Sequence, residues 1–247
     1  MSMIALWVIV ALGAGILEVV IPAFGFVFVT LAALLAAAGE VQALMNHLGL
    51  AARSAPATKL AFEDDVRTSL RKALQFGRVE LVTVETSLGA SGPLAEPTDV
   101  VVAAKSKVPQ LAVEVQWHPR GEDHSGFANG AIGDVVKMAV ARTKGAVEQA
   151  GVLIAAPARF WRWLPGYAED RAGYELLGPE EGTPATLKSD FLANSTWDFM
   201  FQGGSDNEVP DRLWSSILGS ATLRSPWAEM ELRLLEVKGL GSARAVR

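Results

Sequence analysis

The chain of 247 residues contains no cysteine, which excludes disulfides and every site built on a thiolate, whether zinc, iron–sulfur or nucleophilic. Histidine is scarce as well. The only three are His47, His118 and His124, and no two have the i, i+4 spacing of a helical zinc site. Basic residues are in the minority, with 22 Lys and Arg against 27 Asp and Glu. This balance argues against non-specific coating of nucleic acid but is compatible with a local basic cleft.

Charge is almost absent from residues 3–39, where Glu18 is the only ionisable residue. Such a stretch is longer than the roughly 20 residues of one membrane span and slightly short of two. Pro22 and Gly25 interrupt it in the middle, so we expect two apolar legs that form a transmembrane helical hairpin. A single span is the alternative. A cleaved signal peptide is disfavoured because no Lys or Arg precedes the apolar run.

Basic residues follow the apolar stretch, beginning with Arg53 and Lys59. Since positive flanks stay on the cytoplasmic side, we expect the chain in the inner membrane with its soluble part in the cytoplasm. The predicted organisation is a transmembrane hairpin in residues 1–40, a linker in residues 41–57 and one soluble domain in residues 58–247. Recovery of the intact chain in the aqueous fraction without detergent would contradict the anchor.

Residues 17–25 contain a Glu, a Pro and a Gly before the second apolar leg, and this pattern resembles the membrane segment of NfeD-family proteins. The resemblance covers about residues 4–39. The small C-terminal β-barrel of that family is not evident in the sequence, so the resemblance implies an anchor. A membrane scaffold whose soluble part assembles with its neighbours is one function it would suggest.

The soluble part shows the periodicities of an α/β protein. Apolar residues recur at helical spacing from residue 58, and β-rich runs, a second helix and a short buried strand follow. The expected order is a helix, strands at 78–85, 99–104 and 111–117, a helix at 131–149 and a strand at 151–157. Beyond it, Trp161 and Trp163 belong to the core or stack on bases. The rest of the domain is expected to be a helical and loop-rich supplement.

Two carboxylates in this pattern suggest chemistry. If the strands at 99–104 and 111–117 form a hairpin, Asp99 lies opposite Gln116 and diagonal to Glu114, all on one face. Oxygen ligands so placed are what Mg²⁺ prefers, and Gln116 would orient the attacking water. In the simpler interpretation Asp99 is a turn residue and Glu114 faces solvent. Against this, the strand around Glu114 is otherwise apolar, where a charge is costly unless it is compensated.

The order of elements, with Pro97-Thr98-Asp99 and Glu114-Val115-Gln116, resembles the PD-(D/E)xK nuclease superfamily. It is most similar to the Glu-x-Gln variant of BglII/BstYI-like restriction endonucleases. The resemblance implies a restriction-endonuclease-like mixed sheet flanked by helices. It also implies that Asp99 and Glu114 are metal ligands, that Gln116 stands in place of the usual catalytic Lys, and that Glu63 touches the metal through water.

The function predicted from this resemblance is a Mg²⁺-dependent, membrane-tethered endonuclease that cuts DNA, in the manner of restriction enzymes, which usually act as dimers. Basic residues near the motif are candidates for DNA backbone contacts: Lys105, Lys107, Lys137 and Arg142. Alternatively Lys137 forms an ordinary surface pair with Asp134. The alternative function is a non-catalytic membrane module that binds nucleic acid or protein with the same fold, and metal dependence distinguishes the two.

Overall fold

A computed structural model of the chain describes much of the region that follows residue 61. The described residues are 62–77, 82–90, 92–103, 107–118, 123–168, 173–178, 182, 184–185, 208–224 and 229–245. The predicted transmembrane hairpin of residues 1–40 and the linker of residues 41–57 lie outside these ranges. Among the described residues, no helix is long and apolar enough to cross a membrane.

The first helix, α1 (Phe62–Gly77), confirms the amphipathic helix predicted from the sequence. Its apolar positions recur at every fourth residue, and Val66, Leu70 and Leu74 are all buried. This spacing places them on one stripe of the helix, which packs on one face of the sheet.

Three antiparallel strands follow: β1 (Val82–Ser87), β2 (Pro97–Val102) and β3 (Leu111–Trp117). A single 3-10 turn, Gly92–Leu94, lies between the first two. The first five residues of β3 are all buried, because helices cover both faces of the sheet at this point.

The register of β2 and β3 differs from the predicted one by two residues. Val100 pairs with Val113, and continuing this register places Asp99 opposite Glu114, not opposite Gln116. The prediction was wrong because β2 begins and ends two residues earlier than expected, which lengthens the connection to β3. An even shift leaves the face predicted for Asp99 unchanged.

The second helix, α2 (His124–Thr143), leads to β4 (Gln149–Pro157), which lies parallel to β3. The helix begins seven residues before the predicted start. Asp123 caps it there, and its carboxylate accepts hydrogen bonds from two main-chain N–H groups of the first turn. The helix ends before Gly145, whose φ of +68° lies in the left-handed region that favours glycine.

The third helix, α3 (Ala158–Ala168), comes directly after β4. Phe160, Trp161 and Leu164 are buried, which confirms the interpretation of the first two as core aromatics. The Trp163 ring is partly buried and stacks on Tyr167, with 4.3 Å between ring centroids.

The C-terminal part corrects the expectation of a helical and loop-rich supplement. It contains two 17-residue antiparallel strands, β5 (Glu208–Arg224) and β6 (Glu229–Ala245). The strand β6 pairs with β4, so the sheet has six strands in the order β1-β2-β3-β4-β6-β5. Glu, Met, Leu and Arg dominate the start of β6 and favour helices in isolation, but pairing on both sides overrides that preference.

Two hydrophobic layers cover the mixed sheet and establish the α/β class. One contains α2, α3 and residues such as Ala112 of β3, and the other contains α1 with Val113 and Val115. Because alternate residues of a strand point to opposite faces, Glu114 and Gln116 lie on the α2 side with Ala112.

Candidate active site

Asp99 lies on β2 at the point where the ladder with β3 ends, next to the last described pair, Val100 and Val113. Its carboxylate continues the contact between the strands, because Oδ2 accepts a hydrogen bond from the Val115 N–H at 2.7 Å. Oδ1 forms an ion pair with Arg67 Nη2 at 2.9 Å. Asp99 is therefore a strand residue whose two oxygens both have partners, and not a turn residue.

Glu114 lies inside the protein, with 5 % of its surface exposed. Its Oε2 accepts a hydrogen bond of 3.4 Å from the Asp99 N–H. Its Oε1 lies 2.5 Å from Lys137 Nζ, an ion pair, but receives no hydrogen bond of good geometry among the described residues. Burial raises the pKa of Glu114 to about 7, and the nearby Asp99 carboxylate adds to the increase. Glu114 is not a solvent-facing residue.

Lys137 does not occupy the surface position that the sequence suggested. It projects from α2 into the site and is 4 % exposed. Besides the ion pair with Glu114, its Nζ donates a hydrogen bond of 2.8 Å to the Pro97 carbonyl. Burial of a lysine to this extent is costly without a compensating partner, and the Glu114 carboxyl group is that partner. The alternative of a surface pair with Asp134 is wrong.

Gln116 lies on β3 and contacts α2. Its Nε2 donates a hydrogen bond of 2.6 Å to Asp134 Oδ2, so the amide has a defined orientation toward the helix. Burial raises the pKa of Asp134 well above its ordinary range, and the Glu114 charge raises it further. Asp134, predicted only as a possible surface partner of Lys137, thus belongs to the same group of side chains as Glu114 and Gln116.

Glu63 is linked to Asp99 through Arg67, which lies one turn later on α1. Arg67 Nη2 lies 3.2 Å from Glu63 Oε1 and 2.9 Å from Asp99 Oδ1, so one nitrogen bridges the two carboxylates. Burial raises the pKa of Glu63, and the Asp99 charge raises it further. The structure therefore brings Glu63 near Asp99, as expected, but with an arginine between them.

These contacts define what we call the carboxylate cluster, in which two cations accompany four carboxylates. Its members are Glu63, Asp99, Glu114 and Asp134 with Arg67 and Lys137. Carboxyl groups outnumber cations in this cluster, and after burial the repulsion between neighbouring carboxylates is a cause of the raised pKa values of Glu63, Glu114 and Asp134.

The donor set fits a hard divalent cation. Mg²⁺ is commonly held by one or two carboxylates, with waters and substrate phosphate completing the shell, and Asp99 and Glu114 supply such a pair. A larger protein-built site is not present: among the described residues, no group of three or more His, Cys, Asp or Glu side chains is placed to hold a metal ion.

The other predicted DNA contacts lie elsewhere. Arg142 donates from Nη1 to Glu236 Oε1 at 2.8 Å and to the Val237 carbonyl at 3.0 Å, which ties α2 to β6. Lys107 is exposed in the connection between β2 and β3, where a DNA contact stays a prediction. Lys105 lies outside the described residues.

Sequence reasoning missed Arg67 and assigned Lys137 to the wrong environment. A signal for Lys137 existed, because it lies in the apolar run of residues 135–141, where a charge needs a partner. No comparable signal marked Arg67, since an arginine four residues after a glutamate on a helix usually forms an ordinary surface pair.

Comparison of the chain with protein-family models, with curated proteins and with solved structures found no match.

Proposed function

We propose that the soluble domain is a Mg²⁺-dependent endonuclease that hydrolyses DNA phosphodiester bonds, with a fold like that of the PD-(D/E)xK restriction endonucleases. The observation that supports it best is the carboxylate cluster. Asp99 and Glu114 come from neighbouring strands, a buried Lys137 accompanies them, and carboxyl groups outnumber the cations around them, which favours binding of a divalent cation.

The order of elements supports the same proposal. From α1 to β4 the chain runs helix, three antiparallel strands, helix and a strand parallel to the third. Asp99 lies on the second of these strands and Glu114 on the third, as the resemblance implies. Tethering to the inner membrane by residues 3–39 is part of the proposal and depends on the sequence pattern alone.

In this mechanism Asp99 and Glu114 would hold the metal. The chemistry that Mg²⁺ would supply there is polarisation of the phosphodiester and a lower pKa of water. Lys137 contributes a positive charge beside Glu114, which favours the phosphate and the charge that develops on it during hydrolysis. Asp134 holds the Gln116 amide, which orients the water. Lys137 thus supplies the cation that the motif itself lacks at residue 116.

The test is cleavage of plasmid DNA by the full chain in detergent, with Mg²⁺, with Ca²⁺ and with chelator. We expect cutting with Mg²⁺ only. Asp99→Ala and Glu114→Ala should each reduce it by about a hundredfold or more, the loss typical of removing one transition-state contact. Glu236→Ala is the matched control, because this strand carboxylate also pairs with a basic residue of α2.

Cutting that is equally fast in Asp99→Ala and in the unchanged chain would exclude this site. Cutting reduced equally by Glu236→Ala would indicate a general loss of structure instead.

A non-catalytic binding module is the second candidate, and one observation favours it. Both central carboxylates already have a basic partner, since Arg67 pairs with Asp99 and Lys137 with Glu114. A domain that had lost metal binding would show such pairs. Binding of DNA without cutting in any metal would favour this candidate.

A further inference from the structure

Arg67 makes more ionic contacts than any other basic residue among those described. Its side chain is 14 % exposed and contacts carboxylates from α1, β1 and β2. Nη1 lies 2.9 Å from Glu85 and 3.4 Å from Asp64, while Nη2 lies 3.2 Å from Glu63 and 2.9 Å from Asp99. The guanidinium thus lies among four carboxylates, one of which is Asp99.

This arrangement leaves a polar atom unsatisfied. Arg67 Nε is buried and has no hydrogen-bond partner among the described residues. A buried donor without an acceptor disfavours the conformation that contains it. The attraction of the carboxylates therefore outweighs a local penalty, and the guanidinium is held in place by charge.

Glu85, one of the carboxylates that contact Arg67, has an unusual backbone conformation. Glu85 has a φ of +50°, in the left-handed region that residues with a side chain rarely adopt. Its neighbours Val84 and Thr86 pair with Val100 and Thr98, so the register places Glu85 opposite Asp99. Strained backbone of this kind is typical of functional sites.

Of the two ion pairs on the central carboxylates, the one between Arg67 and Asp99 is the more easily released. Asp99 Oδ2 is bound by the main-chain N–H of Val115, which is part of a strand. Lys137 is held by both Glu114 and the Pro97 carbonyl and is almost fully buried. Arg67 is bound to Asp99 by one nitrogen and has three other carboxylates to which it can turn.

We infer that Arg67 competes with a divalent cation for Asp99, so that a metal ion binds there only when the guanidinium leaves Asp99 Oδ1. This inference rests on the proposed metal site and adds a determinant of its affinity. Arg67 is a positioning residue in this account, because it acts through Asp99.

The experiment is titration of the full chain in detergent with Mn²⁺, a spectroscopic substitute for Mg²⁺, by loss of the electron paramagnetic resonance signal of the free ion. Arg67→Gln should tighten Mn²⁺ binding by about tenfold, because one positive charge within a few ångströms of the ion is removed. The matched control is Arg71→Gln, an exposed position one turn further along the same helix. It should change the affinity by less than about twofold, as expected of a screened surface charge.

Arg67→Lys is a second variant if Arg67→Gln does not give the cooperative thermal unfolding of the unchanged chain. It keeps the charge but loses the forked contact. Arg67→Lys should therefore tighten Mn²⁺ binding by about threefold, an effect between those of Arg71→Gln and Arg67→Gln. Equal affinities of the unchanged chain and the folded Arg67 variant would overturn the inference and leave the metal site standing. Equal tightening by Arg67→Gln and Arg71→Gln would overturn it as well, since the effect would then be general.

If neither the unchanged chain nor any variant binds Mn²⁺, the proposed metal site fails and this inference fails with it. If only the Arg67 variants bind Mn²⁺, competition by Arg67 is supported in its strongest form. Plasmid cleavage is not needed for any of these outcomes, so the inference is tested separately from catalysis.

Discussion

Glu114 and Glu236 are both strand carboxylates beside a basic residue of α2, but the protein treats their charges in opposite ways. Glu236 has two cations, with Arg142 Nη1 at 2.8 Å and Lys238 Nζ at 3.0 Å. Its pKa is lowered: burial opposes the charge, but the hydrogen bonds from the two basic side chains outweigh it. Glu114 has one cation, a nearby carboxylate and deeper burial, and its pKa is raised to about 7.

The difference shows that a sequence motif alone does not identify a candidate metal site. Glu236-Val237-Lys238 has the common Glu-x-Lys form, and its charges satisfy one another. Glu114-Val115-Gln116 lacks the lysine, yet its carboxylate is left without full compensation in the interior. The balance of charges around each carboxylate distinguishes a structural ion pair from a candidate metal site. Substitutions that change this balance at Glu114 or at Glu236 therefore test the comparison.

The largest effect is expected from removing the cation of each pair. Lys137→Met leaves Glu114 buried without a positive partner, which typically costs about 3–5 kcal/mol of folding free energy when the remaining charge stays ionised. Because Glu114 can instead take up a proton, the loss should be greatest above pH 8 and small near pH 5. Arg142→Met should cost only about 1 kcal/mol, since Glu236 keeps Lys238 and is partly exposed.

The measurement is urea unfolding of the full chain in detergent, followed by tryptophan fluorescence between pH 5 and pH 9. A Lys137→Met loss that does not grow with pH, or that equals the Arg142→Met loss, would mean that the two glutamates are equivalent.

The second prediction uses the opposite pKa directions directly. The pKa of Glu114 is raised in the folded state from 4.5 to about 7, so its contribution to stability is complete below pH 4.5 and is lost as the pH rises through about 7. Glutamine has no such loss. Between pH 5 and pH 9, the stability of Glu114→Gln relative to the unchanged chain should therefore rise by about 2–3 kcal/mol, the part of the pKa difference that takes effect in this range.

Glu236→Gln should behave in the opposite sense. Its pKa is lowered, so its contribution is present above pH 4.5 and disappears as the pH falls through the folded value. The variant should be less stable than the unchanged chain at pH 7 and lose that deficit toward pH 3. The same urea series measures both. Parallel pH curves for the two variants would contradict the comparison.

The part of the fold that local pattern determines was predictable. The stripe of α1, the run of β3 from Leu111 to Trp117 and the apolar β4 were all evident, because each has a periodicity of its own. The β2–β3 register was not, since the point where β2 ends depends on the connection to β3. Nor was β6, because its helix-forming residues become a strand only through pairing with β4 and β5.

The site was predictable to the same extent. Alternation along β3 places Glu114 and Gln116 on one face, which a sequence can show. Arg67 and Lys137 enter from helices on opposite faces of the sheet, and only the packing of those helices brings them to the two carboxylates. The charge balance at the candidate site could therefore not be predicted from the sequence.

The smallest effect is expected from placing a lysine two residues after Glu114, as Lys238 follows Glu236. In Gln116→Lys the new amine should contact Asp134, because the Gln116 amide already donates to that carboxyl at 2.6 Å. Glu114 should keep its raised pKa. Folding free energy should change by less than about 1 kcal/mol, and plasmid cutting should stay within about tenfold, since the partly exposed position tolerates a charge beside a carboxyl.

Gln149→Lys is the control, because it adds the same charge at the start of β4, away from the cluster. If Gln116→Lys abolishes cutting and Gln149→Lys does not, the amide itself is needed and a lysine cannot replace it at this position. If instead Gln116→Lys flattens the pH dependence of folding that Glu114 causes, the new lysine has paired with Glu114 as Lys238 pairs with Glu236. The residue two positions after the glutamate would then determine whether its carboxyl group is charged. The difference between Glu114 and Glu236 would be explained by that one residue.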